Sequence, residues 1–81
     1  MRELHKTDEF KADIQALDNS IRIRAKKAVD KIQEKPELGK PLGNKLHKFF
    51  SEHFGGWRIV YKYDDENVYL YRCQKRKGVY E

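Results

Sequence analysis

The sequence predicts an α+β domain in the order β-α-α-β-β-β, with an N-terminal helical hairpin packed on one face of a small, twisted, mainly antiparallel sheet. Three observations carry this. Apolar residues recur at helical spacing through the first part of the chain, and a stretch rich in proline and glycine, PELGKPLGNKL, then ends that pattern. Beyond it lie three runs rich in aromatic and β-branched residues, FFSEHF, WRIVYKY and NVYLYRC, separated by the turn signals GG and DDEN.

Taken in order, Arg2 to Lys6 is expected to supply a short edge strand. In TDEFKADIQAL, Phe10, Ile14 and Leu17 fall at i, i+4 and i+7, Thr7 is placed as an N-cap, and Asp8 and Glu9 favour the first turn through the helix dipole. A second cap cluster, DNS, precedes a longer helix whose stripe is Ile21, Ala25, Ala28, Val29 and Ile32, and Pro36 stops it. Its other face carries Arg22, Arg24, Lys26, Lys27 and Lys31 beside Asp30 and Glu34, the composition of a solvated surface.

Residues two apart in a strand share a side. On WRIVYKY that places Trp57, Ile59, Tyr61 and Tyr63 toward the helices and Arg58, Val60 and Lys62 away from them. On the last strand Tyr69, Tyr71 and Cys73 share one side, while Leu70, Arg72, Gln74 and Arg76 share the other. If the polar sides coincide, Arg58, Lys62, Arg72 and Arg76 line one open sheet face. The aromatic set Trp57, Tyr61, Tyr63, Tyr69 and Tyr71 is read as mostly core.

The 81 residues are read as a single domain, 1–81, with one core. Eighteen Lys and Arg against thirteen Asp and Glu give +5, and mean hydropathy is −0.99, so the surface is heavily charged and suits a polyanion or an acidic protein. Cys73 is the only cysteine, which leaves no disulfide framework and no Cys/His zinc pattern. It is expected to be a small buried filler. His47 and His53, about 20 Å apart if on one strand, do not make a metal site. No run is apolar enough for a signal peptide or a membrane span, so a cytoplasmic protein without metal or cofactor is expected.

The chain closes on QKRKGVYE, and that ending together with HFGGWRIVYKY and YRCQKRKGVY resembles the RelE/ParE superfamily of toxins. The family shows an R-x-G-x-aromatic-R strand-turn-strand signature, a tyrosine in the next strand, and a closing (H/K)-R-x-x-(V)-Y. Here these are His53 to Arg58, Tyr61, and Lys75 to Tyr80. EFKADIQALDNSIRIRAKKAVDKIQEKPELGKPL looks like the family's helical hairpin and G-K-x-L loop, so the resemblance spans nearly the whole chain and implies a RelE-like fold.

The resemblance implies the toxin of a toxin-antitoxin module: a ribosome-dependent, metal-independent endoribonuclease that cuts mRNA in the A site through the RNA 2′-hydroxyl and so inhibits translation. Arg58 and Arg76 are then expected to grip the scissile phosphate, because a guanidinium stays protonated and offers a fork of donors. Tyr80 is expected to stack on a base or to align and protonate through its phenol. His53 stands where the family often has Arg, and an imidazole titrating near neutrality suits acid or base work. Lys48, Lys62, Arg72, Lys75 and Lys77 are the expected RNA contacts. The family's strand lysines before the turn fall here on Phe49 and Ser51, with Lys48 only adjacent, and Lys75 replaces a frequent His. Implied partners are the ribosome, mRNA and a RelB-like antitoxin, acidic and partly disordered, that folds over the basic toxin. Two alternatives share the scaffold: a ParE-like poison of DNA gyrase, and an inactive relative that binds RNA or antitoxin without cutting.

Overall fold

The computed structural model describes residues 1–42 and 48–75. Within them the order is β1 (Glu3–Lys6), α1 (Asp8–Gln15), α2 (Asn19–Glu34), a 3-10 turn (Pro36–Leu38), β2 (Lys40–Pro41), β3 (Phe50–Phe54), β4 (Trp57–Tyr63) and β5 (Asn67–Lys75). The described strands form one sheet in the order β1-β5-β4-β3-β2. Only the β1–β5 pair is parallel; the other three are antiparallel. The expected architecture is therefore present, with the two-residue β2 as an addition inside the proline- and glycine-rich stretch.

Both helix starts are chemical as anticipated. The Thr7 hydroxyl accepts the Phe10 amide at 3.0 Å, and the Asp18 carboxylate accepts the Ile21 amide at 3.0 Å. Arg22 closes the other end of α1, donating to the carbonyls of Leu17 at 2.9 Å and Gln15 at 3.3 Å. A cation among exposed C-terminal carbonyls satisfies them and suits the helix dipole. The β4–β5 turn is organised by Asp64, whose carboxylate accepts the amides of Glu66 and Asn67.

One core forms between the hairpin and the sheet: Phe10, Leu17, Ala25, Ala28, Val29 and Ile32 from the helical side meet Ile59, Tyr61, Val68, Leu70 and Cys73. Cys73 is buried as expected, and burial pushes its thiol up to about 11. Tyr61 is fully buried and donates its hydroxyl to the Pro36 carbonyl at 2.5 Å. Burial holds that phenol well above its ordinary pKa, so it stays a donor. Gly39 lies against the Tyr61 ring so closely that a Cβ there would overlap the phenol. This contact ties the end of the helical hairpin to the middle of the sheet.

The sides of β5 depart from simple alternation. Ile59 pairs with Cys73 and Val60 with Arg72, but Tyr61 pairs with Leu70, so Tyr71 is an extra residue on β5. A bulge of this kind reverses the parity of a strand. Val68 and Leu70 therefore join Cys73 in the core, whereas Leu70 was expected opposite Cys73, and Tyr69 and Tyr71 turn to the face away from the helices. Trp57, Tyr61 and Tyr63 do pack with the core as expected; Tyr69 and Tyr71 do not.

Candidate functional site

The end of the β3–β4 hairpin brings two of the expected residues together. His53 and Arg58 are direct cross-strand partners, and Arg58 faces Gln74 on its other side. Residues so paired have Cβ atoms about 5 Å apart and point the same way. Their neighbours Glu52 and Ile59 fix the direction: Glu52 meets Lys31 of α2 at 3.0 Å and Ile59 is in the core, so His53 and Arg58 face away from the helices. The buried Ser51 hydroxyl lies 3.5 Å from His53 Nε2, at the outer limit of a hydrogen bond. That contact comes from the i, i+2 spacing along β3.

The tight turn that makes this pairing possible uses Gly55 in the left-handed region, φ 57°. A side chain there is strained, and a Cβ would also run into the Arg24 guanidinium, which lies against the turn. Arg24 was expected on a merely solvated helix face. It is instead a further cation beside the hairpin end that holds His53 and Arg58.

Lys62 lies on the same side of β4 as Arg58, four residues and about 13 Å along the strand. Its ammonium sits 4.5 Å from the centre of the Phe49 ring. Lys48 is exposed, with φ 75°, and adjoins Phe49. Lys75 closes β5, exposed and opposite Trp57. Arg76, Lys77 and Tyr80 come directly after it in sequence and lie outside the described residues, as does His47.

Arg72 pairs with Val60, on the same side of the sheet as Arg58 and Lys62, but its charge is already engaged. Its guanidinium grips Asp13 of α1 with two hydrogen bonds, 2.8 and 3.1 Å, and the same carboxylate accepts the Cys73 amide at 2.9 Å. β1 stops pairing at Leu70, so the backbone groups of β5 beyond it need other partners. Thr7 supplies them to Leu70 and Tyr71, Asp13 to Cys73.

Hydrogen bonding from Arg72, joined by the Cys73 amide, holds the Asp13 carboxyl below its ordinary value of 3.8. A carboxylate depressed in the folded state stabilises the fold fully above its unfolded pKa. That contribution is lost as pH falls through the depressed folded value. Asp13→Asn is therefore expected to lower the thermal midpoint at neutral pH and to flatten its fall below about pH 4. Thermal melts of both proteins across the acid range check this.

Among the described residues no group of His, Cys, Asp or Glu is placed to hold a metal, and no helix is long and apolar enough to cross a membrane. The arrangement offers fixed positive charge, the His53 imidazole beside Arg58 and, on the same face, further rings. Tyr69, Tyr71, Phe49 and His5 all lie there; His5 stacks on Tyr69 at 4.9 Å, and Phe49 meets Tyr71 edge-on at 5.2 Å. One signal in the sequence bears on this. Val68, Leu70 and Cys73 are apolar at mixed parity, which an unbroken strand cannot bury on one side.

Comparison with known proteins agrees with this architecture. The model of the ParE toxin of the type II toxin-antitoxin system, parDE, matches residues 4–80. A search of curated proteins gives no significant match. Among solved structures, the toxin-antitoxin complex RelBE2 from Mycobacterium tuberculosis contains a chain that superposes with TM-score 0.82 at 26% identity, covering 93% of this chain and 98% of that one. The intact RelBE complex of E. coli gives 0.79 at 22% identity, covering 95% and 99%, and the YoeB/ParE toxin from Agrobacterium tumefaciens 0.78 at 16%, covering 93% and 99%. The last two likenesses establish the fold.

Proposed function

The chain belongs to the ParE toxin family of type II toxin-antitoxin systems and has the RelE-like fold, and from that premise we propose that it is a ribosome-dependent endoribonuclease that cuts mRNA and so stops translation. One observation supports this most. Arg58 stands between His53 and Gln74 on the open sheet face, at the end of the sheet where the terminal residues Arg76, Lys77 and Tyr80 come after β5 in sequence.

The reaction is transesterification within RNA. The 2′-oxygen forms a bond to the adjacent phosphorus, the bond to the next nucleotide's 5′-oxygen breaks, and a proton lost from the 2′-hydroxyl is balanced by one gained at the leaving oxygen. Charge builds on the non-bridging oxygens, and guanidinium groups aimed there lower the barrier without moving a proton. In this reading Arg58 and Arg76 hold the phosphate, His53 or Tyr80 carries the proton to the leaving oxygen, and Lys48, Lys62, Lys75 and Lys77 contact the RNA backbone. Arg72 enters only by exchanging Asp13 for phosphate, so its part is the smaller one. The ribosome completes alignment of the 2′-oxygen, which a cation-rich face alone does not enforce.

The proposed antitoxin is acidic and folds on binding. The solved RelBE and RelBE2 structures are toxin-antitoxin complexes, and a net charge of +5 suits such a partner. The ParE match supports a second reading, poisoning of DNA gyrase, on the same scaffold. Cell-free translation and a gyrase supercoiling reaction, each given the antitoxin-free protein, separate the two. The ribonuclease reading expects translation to stop with message breakage that needs ribosomes, and supercoiling to continue. Arrested supercoiling with intact message supports the gyrase reading instead.

A further inference from the structure

The bulge in β5 creates a second feature on the open face. His5 on β1 and Tyr69 on β5 are cross-strand partners whose rings stack at 4.9 Å with an 18° angle between planes. His5 is held in place by a hydrogen bond between its Nε2 and the Asn67 side-chain oxygen, 2.7 Å. Tyr69 is in turn opposite Lys62, whose ammonium lies over Phe49, and Phe49 meets the edge of Tyr71. All five side chains are half-buried, and none of them belongs to the core between helices and sheet.

We propose that this strip, His5, Tyr69, Lys62, Phe49 and Tyr71, is a stacking subsite for an unpaired RNA base flanking the cleaved phosphate; this rests on the ribonuclease reading. Three features favour RNA as the occupant. The rings are tyrosine, histidine and phenylalanine, not the leucine, isoleucine or methionine of a helix-binding groove, and π-faces are what unpaired bases stack on. Lys62 places its ammonium among the rings, where it meets the phosphate of a stacked nucleotide. The strip continues along β4 toward Arg58, about 13 Å away, so an extended strand crosses from ring to cation on one face. Glu3, next to His5 on the same side of β1 and exposed, puts a carboxylate at the far margin and turns a polyanion back toward Arg58.

The test uses ribosomes programmed with a message that carries 2′-deoxyribose at the cleaved nucleotide, so that the toxin binds without cutting. Tyr69→Ala is expected to weaken binding by about 5- to 100-fold, the loss of one base–aromatic stack. Tyr69→Phe, which keeps the ring, is expected to bind within about twofold of the parent. His5→Ala is a second variant that removes the backing ring and leaves the core untouched, and circular-dichroism melts confirm that each protein is folded. Ultraviolet crosslinking of the parent is expected to join RNA to Tyr69 or Tyr71.

Parent-like binding by both Tyr69→Ala and His5→Ala, with no crosslink on β5, overturns the subsite. If the parent still cuts message in that case, the ribonuclease reading survives without it. If the parent neither binds nor cuts RNA, that reading fails. If Tyr69→Ala then weakens only antitoxin binding, the strip is a protein-docking surface and the proposal is wrong.

Discussion

Arg58→Ala is expected to reduce ribosome-dependent cleavage by about 10²- to 10³-fold, the usual cost of removing one preorganised donor from the developing charge. Arg58 is fixed on three sides: by β4, by its cross-strand partner His53 and by Gln74. The strand pairing fixes its backbone, and in the proposed reaction its guanidinium is the donor fork to the phosphate. Arg58→Lys keeps the charge but not the fork, and is expected to recover only part of the rate. The measurement is single-turnover cleavage on programmed ribosomes, with a melt of each variant to show that the fold is intact. A parent-like rate for Arg58→Ala removes Arg58 from the site. Arg76→Ala is expected to be as severe, with little change in thermal midpoint.

The second large effect is on stability. Tyr61→Ala is expected to cost about 3–5 kcal/mol, as for other large aromatic side chains removed from a core. A chain of this length has roughly 4–12 kcal/mol in total. The variant is therefore marginal at best. Tyr61→Phe isolates the hydroxyl: it leaves the ring against Gly39 and removes one of two donors to the Pro36 carbonyl, which keeps the Gly39 amide at 3.3 Å, at a cost of about 0.5–1.5 kcal/mol. Chemical denaturation of both checks the difference. Equal losses would mean that the hydrogen bond to Pro36, not the ring, holds the hairpin to the sheet.

The scaffold was legible because periodicity and caps are local. Thr7 and Asp18 announce the two helices, Pro36 ends the second, and the runs around Phe50, Trp57 and Asn67 alternate as strands do. The pairing of His53 with Arg58 comes from a two-residue turn at Gly55 and Gly56 and needs no further knowledge. What alternation missed is partly non-local. The bulge at Tyr71 exists because Val68, Leu70 and Cys73 must all reach one core, and because Thr7 and Asp13 wait beside β5 to take its unpaired backbone groups. The mixed parity of those three apolar residues is visible within the strand; the partners beside it, Thr7 and Asp13, are not. The bulge explains why Tyr69 and Tyr71, expected in the core, lie on the open face; Arg72 keeps its expected side, and only its pairing with Asp13 of α1 was not legible.

The gap between fold and activity has a physical origin as well. A basic sheet on this scaffold suits RNA, gyrase or an acidic antitoxin equally by charge, and only the reacting atoms distinguish them. In the proposed reaction those atoms are the 2′-oxygen and adjacent phosphorus of a message held by the ribosome. The most direct measurement maps new 5′ ends on a defined message in a reconstituted translation reaction, with and without ribosomes. It then repeats the map with a single 2′-deoxyribose at the nucleotide before the break. The predicted result is breaks in register with codons, present only with ribosomes, and lost at the substituted position alone. Breaks that persist across the 2′-deoxy position, or no breaks at all while translation continues, contradict it.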